Sequence, residues 1–301
     1  MSKIHIGISG WRYPPWRGTF YPATLAQRRE LEFASRAVTS IEINGAFYSL
    51  QRPEHYAEWY EQTPPGFVFS HKGNRFITHN LKLHNIDAPL ANVLASGLLA
   101  LKDKLGPILW QFPPNFSFNP ERMEHFLSIL PHDTEAALAL ARHHEARMDG
   151  RTMLAIDKKR KLRHAVEIRH ASFKDPAFIA LLRKYKVAVV VADTAGKWPL
   201  IEDVTADFMY LRLHGEEELY ASGYTDAALS RWADRIRAWA GGGQPDDAHL
   251  LSAVKPPRRA GRDIFCYFDN DIKVRAPFDA RRLIDLLGLD PDSALTPLPA
   301  E

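Results

Sequence analysis

Residues 164 to 170 read His-Ala-Val-Glu-Ile-Arg-His, a strand that carries two opposite charges. Val166 and Ile168 fall on one parity, while Ala165, Glu167 and Arg169 fall on the other, which is the two-residue period of a strand. One face is apolar and the other ends in a carboxylate and a guanidinium. Unpaired buried charges cost several kcal/mol each, so the charged face needs a setting that pairs or solvates both groups. The mouth of a parallel β-barrel is such a setting. There one parity packs on surrounding helices, and the other meets the barrel axis and then solvent.

Outward from this strand, the chain repeats one unit. Downstream come a helix from about Asp175 to Tyr185 and then VAVVVAD (187–193), a nearly continuous apolar run of the kind found in parallel strands buried on both faces. Further strands are expected at Phe208–His214 and Asp263–Asn270, with helices over about 225–240 and 279–287. Leu229, Trp232, Ile236 and Trp239 recur at helical spacing and read as core. Upstream, ILWQF (108–112) is followed by a helix over 120–130. Before it come strands at Ile4–Ser9, Ser40–Asn44 and Phe67–Lys72, with helices over about 23–37, 53–62 and 87–105.

Eight strands, most followed by a helix, predict a TIM-like (β/α)8 barrel spanning 1–301 as one domain. The irregular link from Asp193 to Phe208 predicts one degenerate crossover. Residues 132–163 and 244–262 read as insertions, and 290–301 as a frayed tail. A doubly wound open sheet is the alternative, but no GxGxxG or Walker loop supports it.

Composition sets outer limits. The 301 residues are 46% hydrophobic and 25% charged, as in an ordinary globular protein. Cys266 is the sole cysteine, which excludes an intrachain disulfide and a cysteine metal cluster. No secretory pattern opens the chain and no apolar run reaches membrane-spanning length, so a cytoplasmic protein without membrane contact is expected. A net charge of +3 permits an anionic partner without requiring one.

Barrel chemistry gathers at the carboxyl ends of strands, and polar residues collect there. The last positions assigned to the axis are Ser9, Glu42 and Asn44, Lys72, Gln111, Glu167 and Arg169, Asp193, Arg212 and His214, and Asp269. Residues of like parity on one strand are about 6.6 Å apart, so Arg169 should sit nearer the mouth than Glu167. The expected site is that of an enzyme acting on a small anionic or sugar-like substrate. Glu167, Asp193 and His214 are the acid–base candidates. Lys72, Arg169 and Arg212 would hold the anion, Glu42 and Asn44 would orient it, and Gln111 and Asp269 complete the polar lining. Trp11, Tyr13, Trp16, Phe47 and Tyr48 would form an apolar rim on which a ring can stack. Plain structural readings stand beside these: a self-neutralising buried network for the charges, a counterion role for Glu167, and packing over the barrel for the aromatics.

Other chemistries rank lower. No cofactor is expected. A divalent metal is disfavoured because adjacent cations compete for the carboxylates and no HExxH spacing is present. A Schiff base at Lys72 requires burial to lower its pKa and ranks below charge stabilisation. No GxSxG elbow supports a serine nucleophile, and His143-His144 reads as a solvated helix face. Lys158, Lys159, Arg160, Lys161 and Arg163 precede the fifth strand, and Arg258, Arg259 and Arg262 precede the eighth. Both clusters therefore belong to the amino-terminal face. They read as solvated loops or, in the alternative function, as the polyanion surface of a nucleic-acid-associated binding protein.

Seven stretches carry a family resemblance: IGISGWRYPPWRGTFYP (6–22), the long segment from Ser40 to His79, GPILWQFPPNF (106–116), HAVEIRHASF (164–173), VADTAGKWP (191–199), FMYLRLHG (208–215) and YFDND (267–271). With these the chain resembles the "domain of unknown function 72" family, also called YecE-like. The resemblance implies a TIM-like barrel and brings no particular reaction or cofactor with it. The segments at 132–163 and 244–262 depart from the family pattern.

Overall fold

The structure, a computed structural model, describes residues 2–289. Eight strands form it: β1 (Ile4–Ser9), β2 (Ser40–Ile43), β3 (Val68–Lys72), β4 (Leu105–Gln111), β5 (His164–Glu167), β6 (Ala188–Asp193), β7 (Phe208–Leu213) and β8 (Asp263–Phe268). Each pairs in parallel with the next and β8 pairs with β1, so the sheet closes into a barrel in sequence order. This is the TIM-like (β/α)8 architecture expected from the strand count. The predicted tail at 290–301 lies outside the described residues.

The helices of the outer layer are α1 (Glu30–Ala37), the short α2 (Gly45–Tyr48), α3 (Pro53–Gln62), α4 (Asp87–Ala95), α5 (Pro120–Ile129), α6 (Thr134–Ala141), α7 (Pro176–Lys184), α8 (Asp226–Ala240) and α9 (Ala276–Leu287). Local chemistry places several of their ends. Asn119, Asp133, Asp175 and Thr225 accept hydrogen bonds from the first turns of α5, α6, α7 and α8. Proline opens α3, α5 and α7 with its φ already helical.

Two expected helical features are revised. Residues 23–37 are helical only from a short 3-10 turn at Gln27–Arg29 onward, because Arg17 donates to the Leu25 carbonyl and to Glu30 and holds the preceding segment as a turn. The run from 87 to 105 divides into α4 and a 3-10 segment, Leu98–Lys104. Gly97 makes the division: its φ is +113°, and a Cβ there would stand 2.5 Å from Pro53 Cα. Between β6 and β7, as the irregular sequence predicted, the chain crosses without a helix.

Inside the barrel, Leu109, Ala165, Ala188, Val190, Ala192, Phe208, Tyr210, Phe265 and Tyr267 form an apolar cluster separate from the core between sheet and helices. Gly7 lets β1 and β2 approach, since a Cβ there would stand 1.9 Å from the Ser40 carbonyl oxygen. Two tyrosines carry polarity upward from this layer. The Ser40 and Tyr267 hydroxyls lie 2.8 Å apart and the Ser70 and Tyr210 hydroxyls 2.6 Å apart, while Tyr210 donates to Glu42 at 2.7 Å. Above them sits the charged layer.

Candidate anion site at the barrel mouth

Arg212 of β7 is the hub of that layer and is wholly buried. Its Nη1 donates to Glu167 Oε2 at 2.6 Å and its Nε to Glu42 Oε2 at 3.1 Å. Its Nη2 reaches Glu42 Oε1 at 2.9 Å, Asp269 Oδ2 at 2.8 Å and Ser9 Oγ at 3.2 Å. Ser9 in turn donates to Glu42 at 2.5 Å and accepts from Asn44 Nδ2 at 2.8 Å. One guanidinium thus meets three buried carboxylates, and Arg169 and Lys72 supply the further positive charge that burial of all three requires.

Two of these carboxylates, Glu167 and Asp269, are held ionised. Burial alone would raise Glu167, but Arg212 and Arg169 outweigh it and keep the carboxyl well below its ordinary range. Asp269 is likewise depressed, against burial, by Arg212 and by His214. His214 Nδ1 lies 3.1 Å from Asp269 Oδ2 but off line for a hydrogen bond, and the ring is fully buried.

Above this floor opens a cavity of about 760 Å³. Lys72, Arg169, Asn44, Gln111 and Asp269 line it together with Trp11, Tyr13, Phe47 and Tyr48, which brings together nine of the residues expected there. Arg169 lies just past the end of β5, nearer solvent than Glu167, as their spacing implied. Its Nε donates to Glu167 at 2.9 Å, its Nη2 donates to the Tyr220 hydroxyl at 3.0 Å, and its guanidinium lies 3.8 Å from the Trp198 ring centre.

Lys72 is set apart from the other cations of this layer. It is 8% exposed, and no carboxylate oxygen of the described residues lies within ion-pair distance. Its Nζ is 4.6 Å from the Phe47 ring centre. Burial, and then Arg212, push its pKa down to about 8.

Other expected residues do not reach the cavity. Arg212, Glu42 and Glu167 lie in the floor with their polar atoms engaged by one another, so Arg212 has no guanidinium edge to offer an anion. Asp193 faces the opposite way. Ala188, Val190 and Ala192 take the axis side of β6, which turns Asp193 outward, where it accepts from the Tyr224 hydroxyl at 3.0 Å. Trp16 is buried against Phe20 and Tyr21 as packing, while Tyr48 is 70% exposed on the rim.

The cavity also includes groups that strand parity did not supply. Arg75 and His79 come from the loop after β3, Tyr220 from the loop after β7, and Asp271 from the turn after β8. Burial and the neighbouring Asp269 raise Asp271 to about 6, and burial with Arg75 and Arg169 lowers His79 to about 4. Asp271 ends the YFDND stretch, and that clustering of acids past a strand end was the one sequence signal available for it.

The three carboxylates that converge are all claimed by Arg212. Among the described residues no group of three or more histidine, cysteine or acidic side chains is arranged to hold a metal ion. No helix among them is long and apolar enough to cross a membrane.

The basic run before β5 lies at the amino-terminal face and is largely neutralised. Lys159 pairs with Asp133 and Glu135, Arg160 with Asp157, Lys161 with Asp207, and Arg163 with Asp263 at 2.8 Å. Arg262 is buried and donates to the Gly243 and Pro257 carbonyls.

Comparison with known proteins adds the family. The chain resembles the crystal structure of a DUF72 family protein, TM1631, from Thermotoga maritima MSB8, with a TM-score of 0.70 at 20% identity over 95% of this chain and 99% of that one. A DUF72 family protein of Enterococcus faecalis V583, ef0366, superposes with a TM-score of 0.68 at 15% identity over 99% and 100% of the two chains. At such identities the likeness establishes the fold. The UPF0759 protein YunF of Bacillus subtilis (strain 168) is 24% identical over 127 residues, 40% of this chain, and the match spans 44% of that protein's length. The family model described as "Protein of unknown function DUF72" matches residues 5–301, and the chain belongs to that family.

Proposed function

We propose that this protein is an enzyme whose barrel mouth binds a small anionic, hydroxyl-bearing substrate and moves protons on it. The observation that carries this reading is Lys72, a buried cation that opens on a 760 Å³ cavity and has no carboxylate within ion-pair distance among the described residues. A counterion serving the floor alone would touch the carboxylates it balances, whereas Lys72 balances them from beyond ion-pair distance and keeps its nitrogen on the cavity. Arg75 and the free edge of Arg169 stand around the same cavity. Asn44 Oδ1 and Gln111 Oε1, on lining residues, have no partner and accept hydrogen bonds of the kind a hydroxyl donates. Trp11 and Phe47 supply an apolar wall. Proton transfer falls to Asp271, whose raised pKa of about 6 lets it exchange protons near neutrality. Glu167 and His214 act behind it as positioning residues for Arg169 and Asp269.

Thermal unfolding with and without inorganic phosphate tests the reading. Phosphate should raise the Tm of the wild-type chain and of a variant with Lys158, Lys159, Arg160 and Lys161 all changed to Gln, while Arg169→Ala loses most of the shift. Stabilisation that survives Arg169→Ala and disappears in the fourfold variant overturns the proposal and moves the anion site to the amino-terminal face.

A further inference from the structure

The geometry points to Lys72 as a nucleophile that forms an imine with a small aldehyde or ketone carrying an anionic group. This rests on the reading of the barrel mouth as an anion site and names the substrate class. Lys72 closes β3, at the carboxyl end of the barrel where reacting groups of this fold stand. The other two cations of the interior are tied down: Arg212 by Glu42, Glu167 and Asp269, and Arg169 by Glu167 and Tyr220. Of these three, Lys72 alone makes no ion-pair contact among the described residues. The carboxylates of β2, β5 and β8 that face it, Glu42, Glu167 and Asp269, all turn their bonds to Arg212. Arg212 of β7 lies beneath it, Arg75 and His79 border it from the loop after β3, and Phe47 covers its side. This is how a lysine is made a nucleophile: it is desolvated, set next to another cation and held out of ion-pair contact. With its pKa near 8, about a tenth of Lys72 is free amine at pH 7.

The chemistry balances within the cavity. The Nζ lone pair attacks the carbonyl carbon, and the carbonyl electron pair moves to oxygen, which takes a proton to give the carbinolamine. Asp271 in its protonated form gives the oxygen that proton, takes one back from nitrogen and passes it to the leaving hydroxyl, so one water departs and an iminium and an ionised Asp271 remain. Arg75 and Arg169 hold the substrate's anionic group, and Asn44 and Gln111 take neighbouring hydroxyls.

Reductive trapping tests this on the full chain. Glyoxylate or pyridoxal 5′-phosphate is added below stoichiometry, sodium borohydride supplies the hydride that converts the iminium to a secondary amine, and the digested protein is mapped by mass spectrometry. Lys72 should be modified at least tenfold faster than any surface lysine, at a rate that rises about tenfold per pH unit and levels off above about pH 8. Inorganic phosphate should slow the labelling, and Lys72→Arg should abolish it. If that variant does not fold, phosphate protection and the pH plateau on the wild-type chain decide. Adducts spread over exposed lysines with Lys72 untouched overturn the inference. Phosphate stabilisation of a chain whose Lys72 stays unlabelled overturns the imine alone, whereas labelling of Lys72 without phosphate stabilisation upholds the imine and overturns the anion reading.

Discussion

Glu167 receives Arg212 on one carboxylate oxygen and Arg169 on the other, so its ionised form is built into the native state. Its carboxyl is depressed below the ordinary value of 4.5. The stability it contributes is therefore fully present above pH 4.5 and drains as the pH falls through that value toward the native pKa. Glu167→Gln should cost about 3 kcal/mol at pH 7, the scale of breaking a buried ion pair. The gap from wild type should narrow at pH 3.5, measured by urea unfolding at both pH values; an equal gap at the two would sink this account of the floor. Period-two parity was enough to place Glu167, Glu42, Arg212 and Asp269 in one layer. It was not enough to say which charge claims which, because pairing depends on where side chains from four strands meet across the barrel. The counterion reading of Glu167 is the one its contacts support, and Arg212 proves to be structural floor with no free edge for a ligand.

At the scale of elements, what the sequence hides is tertiary. VAVVVAD is apolar on both parities, so its alternation does not tell which face meets the axis, and Ala192 holds the inward place expected of Asp193. The apolar spacing of 87–105 likewise runs on through Leu98 and Leu101, and only the approach of α3 explains why the helix stops. Gly97 absorbs that approach. Gly97→Ala puts a Cβ against Pro53 Cα at a φ of +113°, and the combined strain and overlap should destabilise the chain by ~2–4 kcal/mol in thermal or urea unfolding. A neutral result would mean that α3 and the 3-10 segment move apart freely. The strands and the helices around them were otherwise legible, because capping residues and prolines announce the helices and β-branched runs announce the strands.

Taken whole, the barrel sorts its charges. Most cations of the run before β5 are neutralised by nearby acids, whereas Lys72 and part of Arg169 at the mouth face an open cavity. Closure of eight strands was readable from their count. The cavity was readable only in part, since Arg75, Tyr220, Asp271 and Trp198 stand on loops, and His79 on a single π-helical turn, where no period indicates direction. On the proposed function the mouth, and not the amino-terminal face, holds the anion. Crystals of the full chain grown with sodium tungstate, a heavy-atom analogue of phosphate, test it by anomalous diffraction. The strongest tungsten peak is expected in the mouth, among Lys72, Arg75 and Arg169; a mouth without a peak, with tungsten bound instead beside Lys158, Arg258 and Arg259, moves the anion site to the amino-terminal face.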